Sequence, residues 1–326
     1  MRLLFLFGLL LLPMTAQAAC EGRDLRLQMS SQDRAALARA LEHVPYPEGN
    51  HWIARKDDTV LHLIGTLHTN DPRMDAVVQR LIPVLRDVDT FYFEVTQDQM
   101  DAFEQSLGQD LSPVMITSGP TLIDLMTADE WARLSATLAE HGIPGWMAAK
   151  MRPWFLSMML GIPPCLMQDP NAKHGMDARL TELAAAYDIP QHSLERVEDL
   201  MAIFDTHPIE DQVKSLLRLS GALHTSEDQL ATMVNAYMEG KHAEIIQLAR
   251  QHGFEASGLT RAEFEAEWDS FEQQLLVQRN ENWMRHILAI KDQTAVIAVG
   301  AGHLSDTHGL LRRLEMAGYT LSRAPF

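Results

Sequence analysis

Cysteine is nearly absent from this chain: 326 residues contain two, Cys20 and Cys165, with no C-x-x-C pair. Thioredoxin-like redox chemistry therefore has no dithiol to work with. Also missing are G-x-S-x-G, H-E-x-x-H and the Walker A loop, so serine-hydrolase, zincin and nucleotide-binding readings lose their usual support. Basic residues are in deficit, 27 Lys and Arg against 44 Asp and Glu, for a formal net charge of −17. Such a surface has no electrostatic reason to seek nucleic acid or anionic lipid. There is no Gly/Ser linker, no low-complexity tract and no 20–50-residue repeat, so residues 19–326 read as one domain. Beyond the N-terminus no segment is long and apolar enough to be transmembrane.

The N-terminus does carry an apolar run. Arg2 precedes Leu3–Leu12, and Ala16, Gln17 and Ala18 come next in an A-x-A pattern. A charged start, a short apolar stretch and small residues at the cleavage point describe a signal peptide, residues 1–18, cut after Ala18. The run is shorter than the roughly 20 residues a membrane span needs. The expected destination is the periplasm; secretion and lipid anchoring at Cys20 are the alternatives, the latter opposed by Gln17 where a lipobox carries Leu. In an oxidising compartment a lone cysteine pair is most simply a disulfide, worth about 4–5 kcal/mol for so long a loop on the entropic account. Two free or partly buried thiols are the other possibility.

Apolar periodicity divides the rest. Residues 31–43 read as a helix with Ser31 as N-cap, and 51–64 as a hairpin turning at Lys56–Asp58. A helix over 74–86, ended or kinked by Pro83, leads to a strand over 90–95, which favours a parallel β-helix-β crossover. From about 98 to 290 helical patterns dominate, including one long helix over 261–290, interrupted by a short strand at 191–194. A strand at 294–299, a helix at 307–317 and a strand at 319–322 close the chain. The expected fold is α/β: a central, mostly parallel sheet built from both ends of the chain, with a large helical insertion between.

Chemistry concentrates where these strands end. Gly65–His68 and Gly300–His303 share the form Gly-x-x-His, and each comes after a strand-like run; a third such run ends in Glu94. In open α/β sheets ligands bind beyond the carboxyl ends of the strands. Two imidazoles and a carboxylate meeting there would suit a divalent metal or a hydrolytic centre. The plainer reading has each His capping a helix or bonding backbone, and Glu94 in a surface ion pair. The repeated motif favours a shared site, with each glycine allowing close backbone approach. Glu94 ends an apolar stretch and needs a partner, for which Arg279 is a candidate. Asp177 opens a helix, where Asp commonly caps. His62 reads as packed or surface-facing within its strand, and the Met and Trp cluster over 147–159 as core.

Taken in order, these motifs resemble the TraB/GumN family, which includes pheromone-shutdown and Tiki proteins. The resemblance is carried by Leu63–Thr69 with Asp71–Pro72, Phe93–Val95, Gly175–Asp177, Ser193–Glu195, Gln278–Asn280 with Trp283 and Ile287, and Ala298–Leu304. It spans roughly residues 45–325 and is most similar to the exported bacterial GumN-like branch. From the Tiki branch it implies a metal-dependent protease: His68 and His303 as metal ligands, Glu94 as ligand or general base, Arg279 on an oxyanion or a carboxylate. Gly65, Gly300, Asp177, Glu195 and Asn280 would support them. Mn, Co, Zn or Fe would be the ion. The wider superfamily, with His/Glu esterases and haem-binding proteins, implies alternatives.

The leading expectation is thus an exported, peptidase-like metallohydrolase acting on a peptide or small molecule. A binding protein that sequesters a peptide, haem or small ligand is the second reading. A metal-independent, esterase-like hydrolase with His68 as base beside Glu94 is the third.

Overall fold

The protein is described by a computed structural model covering residues 20–326. The leader reading at 1–18 lies outside the described residues.

Six strands form one sheet: β1 (His51–Lys56), β2 (Thr59–Thr66), β3 (Thr90–Phe93), β4 (Gln191–Ser193), β5 (Thr294–Gly300) and β6 (Thr320–Arg323). Their order is β4-β3-β5-β2-β1-β6. The first four in that order are mutually parallel, and β1 is antiparallel to both β2 and β6. The sheet is therefore mostly parallel, with strands from both ends of the chain. β2 and β3 are parallel as the crossover predicts, but β5 from the far end of the sequence lies between them.

The central strands β2, β3 and β5 are buried on both faces, as alternating contacts show. Ile64, Phe91, Phe93, Val296 and Ala298 pack against the helices Arg73–Leu85 and Met176–Ala186. Leu61, Leu63, Ala295, Ile297 and Val299 pack the other way, on Trp283, Met284, Ile287 and the helix Leu310–Met316. A third cluster, around Leu134, Leu138, Leu156 and Leu216, holds the inserted helices together. Within 147–159 Met151, Trp154 and Leu156 are core, but Met158 is exposed. Cys20 and Cys165 are joined as a disulfide.

Local details depart from the expected pattern. The first helix is Ser31–Leu41, and its cap is Ser30, whose Oγ accepts from Asp33 N at 3.1 Å. Pro83 sits inside Arg73–Leu85 without ending it. The expected long helix over 261–290 is Arg261–Glu272, a π-helical turn at Gln273–Val277, then Gln278–Ile287. The helix His242–Ser257 has no counterpart among the expected elements. His62 is buried against His51, its Nδ1 3.1 Å from His51 Nε2.

Candidate active site at the carboxyl edge of the sheet

Each of the four parallel strands delivers a polar side chain just beyond its carboxyl end: Glu195 after β4, Glu94 after β3, His303 after β5 and His68 after β2. The register makes them neighbours, since Phe93 pairs with both Ser193 and Ala298, and Thr66 pairs with Gly300.

Arg279, on the helix Gln278–Ile287, joins three of the four. Its Nη2 donates to Glu94 Oε2 at 2.5 Å and to Glu195 Oε1 at 2.5 Å. Nε donates to Glu195 at 3.0 Å, and Nη1 donates to Leu275 O at 3.2 Å and His303 Nε2 at 3.1 Å. Nε carries one N–H and each Nη two, so all five guanidinium donors are engaged. The ring of Trp283 lies under the guanidinium, 4.7 Å from its centroid, and packs 4.4 Å from the His303 ring.

Asn280 determines the His303 tautomer. Its Nδ2 donates to the carbonyls of His303 and His308, at 3.3 and 3.1 Å, so its Oδ1 faces the imidazole. His303 Nδ1 therefore carries the proton and donates to Asn280 Oδ1 at 2.8 Å. Nε2 is left as a lone pair for Arg279, 3.7 Å from Glu94 Oε1. Burial holds this ring neutral and pushes its pKa down to about 3, against the opposing pull of Glu94.

His68 is built differently. Its Nδ1 lies 2.7 Å from Asp177 Oδ2, and its side chain is 74% exposed. It is open to water but has protein mass around it at longer range. Asp177 pulls its pKa up to about 9. Asp177 is thus a partner for His68 rather than a cap; the helix Met176–Ala186 is capped at Gly175 without a side-chain bond. Gly175 is required by close approach, because a Cβ there would fall 2.3 Å from the carbonyl oxygens of Leu67 and His68. Met176 N donates to Leu67 O at 2.9 Å and fixes the junction.

Burial opposes charge on Glu94, but the cationic Arg279, the protonated His68 and the Gly300 N–H beside it outweigh burial and hold it down to about 2. Arg279 is the permanent cation among them, and His303 is neutral. Gly300 N donates to Glu94 Oε1 at 2.7 Å, and a Cβ on Gly300 would stand 3.2 Å from that oxygen. The glycine of this motif therefore makes room for a carboxylate. Glu195 moves the other way: burial raises its pKa despite Arg279.

The expected site residues therefore gather in one place. Glu94, Glu195, Arg279, Asn280 and His303 form one bonded network, and His68 with Asp177 forms a pair within electrostatic range of it. Sequence reasoning misses Tyr237 and Asn50. Tyr237 is buried and donates its hydroxyl to Gly65 O at 3.0 Å, while Asn50 O accepts from Gly65 N at 2.7 Å. No motif marks either residue.

The implied metal does not fit this arrangement. A guanidinium already occupies the place an ion would take between Glu94 and His303, and it uses the His303 lone pair. Among the described residues no group of three or more His, Cys, Asp or Glu could hold a metal. Arg279 is also unsuited, as placed, to receive an oxyanion, because none of its donors is free.

The geometry defines a class: an α/β protein with a His, Glu and Arg centre at the carboxyl ends of four parallel strands. Over residues 50–323 the chain matches the TraB/PrgY/gumN family, and it belongs to that family. Compared with curated proteins and with solved structures, it matches none. Among the described residues no helix is long and apolar enough to cross a membrane.

Proposed function

We propose that this chain is a metal-independent hydrolase of acyl bonds, peptide or ester, in which His68 is the general base. The observation that carries the reading is the His68–Asp177 pair, 2.7 Å apart and open to solvent, at the edge where Glu94 and His303 also lie. Asp177 holds the Nδ1–H and leaves Nε2 to take a proton from water. The negative charge on Asp177 stabilises the imidazolium that results. Glu94, ionised and fixed by Gly300 and Arg279, adds a field that favours the same proton transfer. Arg279 holds Glu94 and Glu195 together by donating to both carboxylates. The apolar leader run and the disulfide support a site of action outside the cytoplasm, in the periplasm.

The pH dependence is set by His68. A base with a pKa near 9 is mostly protonated at pH 7, so turnover should climb about tenfold per unit toward pH 9 and then level. The test is a screen of peptides and p-nitrophenyl esters from pH 7 to 10, with and without chelator, beside His68→Ala. Chelator-resistant turnover that His68→Ala abolishes supports the reading. Turnover that requires added Mn, Co, Zn or Fe would overturn the metal-independent chemistry, and saturable binding without turnover would make this a sequestering protein.

A further inference from the structure

Asn280, which holds His303 by its Nδ1–H, also forms part of the wall of a pocket of about 220 Å³. Three of the five residues in the π-helical turn, Gln273, Leu276 and Val277, line the same pocket, and such turns recur at functional sites. Three carboxylates line it too: Asp269 and Glu272 from the helix Arg261–Glu272, and Asp306 from the loop after His303. Among the described residues no Lys or Arg is in the wall, and His308 is its one other titratable group.

These carboxylates are poorly compensated. Among the described residues Glu272 and Asp306 have no ion-pair partner, and Asp269 has only Arg250, 3.6 Å away and also paired with Glu265. Arg313 approaches the same loop, but its Nε donates to the His308 carbonyl at 2.9 Å. Burial and the negative charges of Asp306 and Asp269 raise the Glu272 pKa against the pull of Arg250. Acidic side chains alone make only a solvated face. Ser305 adds an observation independent of charge: it is 6% exposed, and among the described residues its hydroxyl has no hydrogen-bond partner. That hydroxyl is not sealed inside the protein, so it opens to the pocket that Ser305 lines.

Size, charge and the rest of the wall select the occupant. The volume is below the roughly 300–1,000 Å³ of drug-sized ligand sites, so one side chain or one small molecule fills it. Among the described residues no three carboxylates or imidazoles converge to hold a metal ion, which leaves an organic cation. An alkylammonium has three N–H donors to share between carboxylates and a hydroxyl. Its methylene stem suits the apolar part of the wall, Val44, Ala243, Ile246, Leu276 and Val277.

We propose that this pocket binds a primary alkylammonium group, with Glu272, Asp306 and Ser305 as its acceptors. A lysine side chain and a free alkylamine share that chemistry. The proposal does not rest on the hydrolase reading above.

The experiment is calorimetric titration of the mature protein in about 150 mM salt, which screens loose surface attraction. Cadaverine and Nα-acetyl-lysine methylamide are the probes, with n-pentanol and glutarate as uncharged and anionic controls. An ammonium probe should bind at least about tenfold tighter than either control, and the tighter of the two probes identifies the source. Glu272→Gln should weaken binding about tenfold while the melting temperature holds or rises, because burial and two like charges already oppose that carboxylate. Asp306→Asn should weaken it by a similar factor, at a left-handed position (φ 79°) that Asn also adopts. Ser305→Ala should cost about threefold. Absent ammonium binding, equal binding of n-pentanol, or an affinity that survives both carboxylate variants overturns the proposal.

Discussion

The two Gly-x-x-His loops have the same form and opposite surroundings. His303 is buried, neutral, and fixed at both ring nitrogens by Asn280 and Arg279; His68 is open to water and fixed at one, by Asp177. The first has its pKa pushed down to about 3 by burial, the second up to about 9 by a carboxylate. A shared motif therefore gives a shared position at the sheet edge but not a shared role. His303 is built as part of a packed electrostatic network, while His68 is built to exchange protons with something that arrives from solvent.

The largest effect should come from the residue that makes the buried half possible. Arg279→Met leaves Glu94 and Glu195 without their cation, and both are largely out of water. Removing one partner of a buried ion pair costs about 3–5 kcal/mol, because the other charge stays behind. Urea unfolding should show a loss of that size. A loss below about 1 kcal/mol would mean that water reaches the network, and the two histidines would then differ less than their burial implies.

Acid should act next, and on the buried side. His303 has a folded pKa below its unfolded value, so the unfolded chain binds a proton first and stability falls as pH drops from about 6.5 toward 3. His62 and His242, each pushed down to about 4 by burial, act in the same direction. Glu94, held at about 2, loses its contribution as pH falls from its ordinary value near 4.5 through that range. Each buried histidine contributes about 1.4 kcal/mol per pH unit across its window. Melting temperature measured from pH 7 to pH 4 should fall steeply, and a flat profile would contradict neutral burial of these rings.

Much of the site is legible in the sequence because strand ends are readable. The apolar runs before His68, Glu94 and His303 mark three of the strands, and the parallel-sheet rule puts these residues at one edge, whereas Glu195 follows the short polar strand Gln191–Ser193 and enters only through the family resemblance. The Arg279–Glu94 pairing is legible too, from the need of a half-buried carboxylate for a cation. Stoichiometry is not. Nothing in the sequence shows that Arg279 spends all five donors internally, and so fills the place the family resemblance reserves for a metal. Asp177 reads as a cap because a helix start explains an Asp equally well until its neighbour across the chain is known. The break of 261–290 at Gln273–Val277 is invisible for a similar reason, since a π-turn needs no Gly or Pro to mark it.

The smallest expected effect on stability is also the most direct test of the solvent-facing half. His68 has a folded pKa raised above its unfolded one, so whatever stability it lends is present below about pH 6.5 and is lost as pH rises through about 9. Its ring is three-quarters exposed, so water screens the pair and the contribution is under about 1 kcal/mol. The signal to measure is therefore the proton itself. In Asp177→Asn the carboxylate charge disappears while a hydrogen-bond acceptor remains, and the His68 pKa, read from its ring protons by NMR, should fall by about two units toward 6.5. Asn280→Asp makes the opposite change beside His303 and should raise that ring's pKa instead. If the Asp177→Asn shift is absent, Asp177 does not control His68, and the asymmetry between the two loops reduces to burial alone.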